Sequence, residues 1–226
     1  MTHPDPAGDR TVLVVAKAPV PGLVKTRLVP PLTHAEAAEL AAAALADTLD
    51  AAAACECDRV VVALDGARPT WFPSTLTVVA QRGADFTERL ADAWTYAGRG
   101  PSARTVQIGM DTPQVQAADL DAAFLAVESP RADTALGLAV DGGWWVLAMR
   151  GADPGVFAGV PMSTRHTGAA QLAALEARGR TVALLPTLRD VDEIADVPKV
   201  AAAAPDTRFA GLAHSLGLTR TDRSSV

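Results

Sequence analysis

The chain has 226 residues, 49% of them hydrophobic and 20% charged, with 20 Lys+Arg against 26 Asp+Glu and a formal net charge of −6. That length and apolar content suffice for one full core and exclude intrinsic disorder. The acidic balance excludes attachment to nucleic acid through bulk positive charge. No run reaches bilayer thickness, because the richest stretch, 37–54, is mostly alanine and is broken by Glu39, Asp47 and Asp50.

Residues 1–10 carry Pro, Asp and Gly without an apolar segment and read as a disordered lead-in, not a signal peptide, which makes the cytoplasm the expected compartment. A single domain is expected over 11–216. The run 11–16 (TVLVVA) is continuously apolar, as a strand buried on both faces must be. A Pro/Gly/Lys loop follows, and Thr33 with Glu36 forms a capping-box signature for a helix running to about residue 54. Cys55 and Cys57, with no neighbouring His or third Cys, read as reduced thiols, not metal ligands. Further strands are predicted at 59–64, 76–80, 104–109, 134–140, 144–149 and 181–186, and helices at 85–97, 116–128, 167–179, 192–203 and 206–216. Residues 217–226 read as a flexible tail. The repeated strand–helix–strand order implies a mostly parallel sheet covered on both faces, an α/β fold of three layers, α/β/α. Asp141-Gly142-Gly143 leaves no room for a crossover helix, so a hairpin and one antiparallel strand are expected there.

In such sheets ligands bind beyond the carboxyl ends of the strands. The first strand is followed by Lys17, Gly22, Lys25 and Arg27, and later strands by Asp65-Gly66, by Gln81, Gly83 and Asp85, by Asp111, by Asp141, and by Asp190 and Asp192. A glycine with three cations suits phosphate groups, since backbone N–H groups can approach while Lys and Arg supply charge. The spacing matches neither a P-loop nor a dinucleotide fingerprint. Asp111, stiffened by Pro113, suits one divalent cation, and Asp190 and Asp192, two apart, would face the same site if the segment is extended. Asp192 is equally well read as a helix N-cap. Arg89 stands four residues after Asp85, where an i,i+4 ion pair accounts for both. One of Trp144 and Trp145 is expected in the core and the other free to stack on a ligand. His166 is the one histidine in a plausible site loop. No nucleophile elbow is present, which argues against covalent serine hydrolysis.

The segment 16–28 (AKAPVPGLVKTRL) resembles the opening signature of small bacterial glycosyltransferase-A-like proteins, many of unassigned activity. The resemblance continues in order through Gln81, Gly83, Asp85, Glu88 and Arg89, then Gly109-x-Asp111-x-Pro113, Asp141-Gly142-Gly143, Ser163-Thr164 and Asp190-Val191-Asp192, covering about 11–197. Relatives of understood activity include the guanylyltransferases for phospholactate and for the molybdenum cofactor. The resemblance implies the GT-A (nucleotide-diphospho-sugar transferase) fold with a mixed sheet. It implies a nucleotide site at Ala16, Lys17, Pro21, Gly22, Lys25, Gln81, Gly83, Asp85 and Arg89, with Lys25, Arg27 and Asp111 catalytic. Mg²⁺ or Mn²⁺ would be held by Asp111 and by Asp190 or Asp192. A small-molecule acceptor would meet Asp141, Gly142, Gly143, Trp144, Ser163, Thr164 and His166. Phe86-Thr87, Met110 and Met162 depart from the family's commoner Leu-Gly, Ser/Thr and Trp. The implied reaction is nucleotidyl transfer from a nucleoside triphosphate; sugar transfer from a nucleotide-sugar and a silent nucleotide-binding module are the alternatives. No nucleic acid or membrane partner is expected.

Overall fold

A computed structural model describes residues 10–98, 100 and 102–219. Most of the expected lead-in and tail lie outside these residues. Seven strands form one sheet: β1 (Arg10–Lys17), β2 (Arg59–Asp65), β3 (Thr77–Ala80), β4 (Arg104–Gly109), β5 (Thr134–Ala139), β6 (Trp144–Arg150) and β7 (Val182–Leu188), in the spatial order 3-2-1-4-6-5-7. All neighbours are parallel except β6, which runs antiparallel to both β4 and β5. The short turn at 140–143 forces that reversal, as predicted from the Asp-Gly-Gly sequence.

β1 shows why its run is continuously apolar. Val12, Val14 and Ala16 face α1 (His34–Ala54) and α3 (Ala117–Glu128), meeting Leu45, Leu49, Leu120 and Phe124. Leu13 faces α2 (Phe86–Ala97) and α4 (Thr167–Ala177), meeting Leu90, Trp94, Phe157 and Leu175. Alternate side chains therefore enter opposite cores, so the run is apolar on both faces. On the α2 face Gln107 is buried, and its side-chain oxygen accepts from the Trp94 indole N–H. A third core joins α1 to α5 (Val197–Ala203) and α6 (Arg208–Ser215) through Leu40, Val200 and Phe209. Asp47, buried in α1, accepts from the Arg208 and Phe209 N–H groups and so caps α6. Among the described residues no helix is long and apolar enough to cross a membrane.

The capping box forms as predicted: Thr33 Oγ1 accepts from Glu36 N at 3.2 Å, and the Glu36 carboxylate accepts from Thr33 N at 2.7 Å. Most element ends differ from the sequence reading by one or two residues, and three differences have a clear local cause. Arg10 belongs to β1, where its guanidinium donates to Glu128 at 2.7 and 2.8 Å and lies over the Phe124 ring. The helix expected from 192 begins at Val197, because the Asp196 carboxylate accepts from the N–H groups of Asp192 and Glu193 and binds Arg189, holding 193–196 in a turn; Pro198 then sits in the first helical turn. Leu218, placed in the expected tail, donates its N–H to Ala213 O at 2.9 Å and packs on the third core.

Candidate active site

The carboxyl ends of the strands open into a cleft of about 600 Å³. Register brings its polar groups together: Lys17 at the end of β1 is opposite Asp65 at the end of β2, and Val15 is opposite Gly109, two residues before Asp111. The crevice lies where β1 is flanked by β2 on one side and β4 on the other, the place at which such sheets bind ligands.

The loop after β1 is held down at several points. Lys17 N–H donates to the buried Met110 thioether at 3.3 Å, so Met110 anchors the loop. Lys25 adopts φ 48°, a left-handed conformation uncommon for a residue with a side chain. This aims a largely buried ammonium at Asp111 Oδ1, 2.5 Å away, and at the Val191 carbonyl. Arg27 forms an ion pair with Asp192. The two cations and two carboxylates thus join sequence segments more than 80 residues apart, Lys25 and Arg27 to Asp111 and Asp192. Asp192 is engaged by Arg27 and does not cap a helix.

Deeper in the cleft, Arg89 binds Asp65 at 3.1 Å, with Lys17 at 3.9 Å from the same carboxylate. The Asp85–Arg89 pair expected from spacing is replaced by this contact, and Asp85 instead caps α2 by accepting from Glu88 N at 2.8 Å. Gly83 has no place at the cleft wall. A Cβ there would come within 2.7 Å of Arg89 N, so the glycine permits the tight entry into α2. Gln81 lines the cleft and ties two strand ends together, donating to Ala16 O and Ala63 O at 2.9 and 3.0 Å.

On the other side Asp141, Gly143, Trp144, Ser163 and Thr164 line the cleft, with Phe86 and Met162 adding apolar wall. Trp145 is the core tryptophan, and Trp144 is partly exposed and stacks on Phe157 at 6.5 Å. The hairpin turn interlocks with the start of α4. Gly168 N–H donates to Gly142 O at 2.8 Å, and a Cβ on Gly142, at φ 92°, would lie 2.1 Å from Arg165 O. Gly142 therefore holds the turn in place and does not face the cleft. Ser163 also adopts a positive φ, 56°, and faces the cleft. Pro21, Gly22, His166 and Asp190 lie outside the cleft wall; the His166 ring accepts from Arg165 Nε at 3.1 Å. Asp65, Gln107, Leu23 and Thr167 line it as well. Of these, Asp65 had the clearest signal, its position immediately after a strand.

The carboxylates crowd one another. Burial, then the charge of Asp141 and more weakly that of Asp111, raise the Asp190 carboxyl to about 6, against the opposing effects of a backbone hydrogen bond and, more weakly, of Lys25. Among the described residues no three His, Cys, Asp or Glu side chains form a ready metal set. The donor chemistry nonetheless suits a hard divalent cation, which commonly takes one or two carboxylates and completes its shell from substrate phosphates.

These features are those of the nucleotide-diphospho-sugar transferase fold, and the solved structures agree. A Desulfovibrio desulfuricans protein with a provisional assignment as a nucleotide-diphospho-sugar transferase superposes with a TM-score of 0.83 at 23% identity, covering 94% of this chain and 97% of that one. The CMP:2-keto-3-deoxy-manno-octonic acid synthetase complexed with CTP gives 0.55 at 12%, covering 86% and 98%. Rv0371c of Mycobacterium tuberculosis in complex with manganese gives 0.50 at 21%, covering 85% and 97%. At these identities the likeness carries the fold. The chain belongs to a family of uncharacterized proteins conserved in bacteria, DUF2064, whose model matches residues 41–164. No curated protein matches it.

Proposed function

We propose that this protein is a nucleotide-using transferase that moves a nucleotidyl group from a nucleoside triphosphate to a small phosphorylated or hydroxyl acceptor, with release of pyrophosphate. The observation that carries the reading is the convergence of Lys25 and Arg27 on Asp111 and Asp192 at the mouth of a cleft beyond the strand ends. In the free protein each cation is matched by a carboxylate. An incoming triphosphate competes for Lys25 and Arg27 and frees the aspartates, and Asp111 with Asp190 or Asp192 would then hold Mg²⁺ or Mn²⁺. The cation's contribution when bound is to neutralise phosphate charge. The manganese complex of the mycobacterial neighbour and the CTP complex of the synthetase support this assignment.

The chain's own residues do the rest. Lys25 and Arg27 bind the phosphates and stabilise charge building on the departing pyrophosphate. Lys17 and Gln81 border the nucleotide half. Asp141, Trp144, Ser163 and Thr164 position the acceptor, whose oxygen attacks the α-phosphorus. Orientation inside the cleft supplies most of the remaining acceleration, and no covalent enzyme intermediate is required.

A second reading, sugar transfer from a nucleotide-sugar, draws support from the provisional assignment of the D. desulfuricans protein. Thermal shift with the four common nucleoside triphosphates and a set of nucleotide-sugars, each with and without Mg²⁺, separates the two. Nucleotidyl transfer predicts a Mg²⁺-dependent rise in Tm with one triphosphate. A rise confined to nucleotide-sugars selects the second reading, and no rise with either class overturns both.

A further inference from the structure

At the opposite end of the sheet, just ahead of β2, α1 ends in a tight turn carrying both cysteines. Cys55 N–H donates to Ala51 O at 3.2 Å, Cys57 N–H donates to Cys55 O at 2.9 Å, and Glu56 N–H donates to Asp121 Oδ1 at 2.8 Å. Every backbone N–H of the turn is thereby engaged, and its shape is set by the fold. Two residues of extended chain would separate the flanking α-carbons by about 7 Å. The bond from Cys57 N–H to Cys55 O makes this a three-residue turn, which draws them toward the window of roughly 4.4–6.8 Å that a disulfide needs. The sulfurs follow: Cys55 Sγ and Cys57 Sγ lie 3.3 and 3.6 Å from the same acceptor, Ala52 O. Cys55 is buried and Cys57 half-buried.

We infer that Cys55 and Cys57 form a reactive dithiol that closes to an intramolecular disulfide by exchange with a small disulfide. The neighbouring Cys55 thiol lowers the Cys57 thiol to about 7 against burial and the charge of Asp58, while the same neighbour and burial push Cys55 up. A thiol titrating near ambient pH is well matched to attack a disulfide. Cys57, half-buried where Cys55 is buried, is the sulfur an incoming disulfide can reach, so it is the entering nucleophile and Cys55 the resolving thiol. The Cys57 thiolate attacks one sulfur of the small disulfide, whose S–S bond breaks, and the first thiolate leaves and takes a proton. Cys55 then loses its proton to solvent and attacks the Cys57 sulfur, expelling the second thiolate. The protein loses two electrons and the small disulfide becomes two thiols. Among the described residues no third ligand completes a metal set around the pair, which favours exchange over chelation. Asp58 and Asp121 make the surroundings acidic, with Arg10 drawn to Glu56 at 3.6 Å, so a cationic disulfide is preferred to an anionic one.

The test treats the full-length reduced protein with cystamine and reads intact mass over time. The wild type is expected to lose two hydrogens without a lasting adduct, and about tenfold faster when folded than in urea, because the fold pre-aligns the thiols. Cys55→Ser should retain the cystamine adduct on Cys57, and Cys57→Ser should react about tenfold more slowly than Cys55→Ser. A lasting adduct on the wild type, equal rates in folded and unfolded chains, or equal reactivity of the two variants overturns the proposal. The wild-type measurement stands whether or not either variant folds.

Discussion

Two charged clusters sit at opposite ends of the sheet and are built on different terms. At the amino ends, Glu128 is gripped by Arg10 through two hydrogen bonds and approached by Arg104 at 3.2 Å, while Arg10 also covers Phe124. There the carboxylate is outnumbered by cations, and the Arg10 hydrogen bond above all holds Glu128 below the usual range. At the carboxyl ends the carboxylates are the crowded party, and Asp190 is raised to about 6. The first arrangement lowers the energy of the folded chain. The second leaves a strained charge pattern, with Lys25 and Ser163 at positive φ beside it, as is common where a fold is shaped for a ligand.

The sharpest test of this contrast is Asp111→Ala. Transfer activity should fall by about two to three orders of magnitude, while Tm stays within a few degrees of wild type, because Asp111 is half-exposed. Retention of near-wild-type turnover would remove Asp111 from the reaction. Glu128→Gln should do the reverse, costing about 1–2 kcal/mol in urea unfolding and leaving nucleotide-induced thermal shifts unchanged. Because the folded-state pKa of Glu128 is lowered, its contribution is present above the unfolded value near 4.5 and is lost as pH falls through the folded value. The gap between wild type and Glu128→Gln should therefore narrow in acid, and a constant gap would show that the pair is not its source.

Asp190→Asn should stabilise the ligand-free protein at pH 8 by on the order of 1 kcal/mol after allowance for solvent screening. Asp190 has a raised folded-state pKa, so the wild type gains stability as pH falls through about 6, and the advantage of the variant should vanish near pH 4. A variant no more stable than wild type at pH 8 would mean that neither burial nor the neighbouring carboxylates destabilise the Asp190 charge. The smallest effect is expected for Arg27→Ala. Its pair with Asp192 is solvent-exposed, so stability should change by only a few tenths of a kcal/mol. The nucleotide-dependent thermal shift should nevertheless drop. An unchanged shift would take Arg27 out of phosphate binding.

Much of this was legible in the chain, because the signals are local. The order of strands and helices follows from apolar runs, the capping box at Thr33 from two side chains, and the antiparallel β6 from a turn too short for a crossover. Lys17, Lys25, Arg27 and Asp111 could be placed at one sheet edge because Lys17 ends β1, Lys25 and Arg27 lie in the loop after it, and Asp111 lies just beyond the end of β4. Gly83, Asp85 and Gly142 belong to the same motifs but serve the backbone, shaping the start of α2 and the hairpin turn. Motif membership does not distinguish a residue that touches a ligand from one that holds the wall in position.

What the sequence determined by itself is the fold class, the strand ends that carry charge and the presence of a polar crevice, since periodicity, capping and turn chemistry act over a few residues. Only the tertiary structure decided the pairings. Arg89 chooses Asp65 over Asp85, Asp192 meets Arg27 and does not start a helix, and two cysteines without metal spacing share one carbonyl. Each of these depends on which side chains the sheet register and loop packing bring within a few ångströms, and charge pairs choose partners by distance in space, not by spacing along the chain.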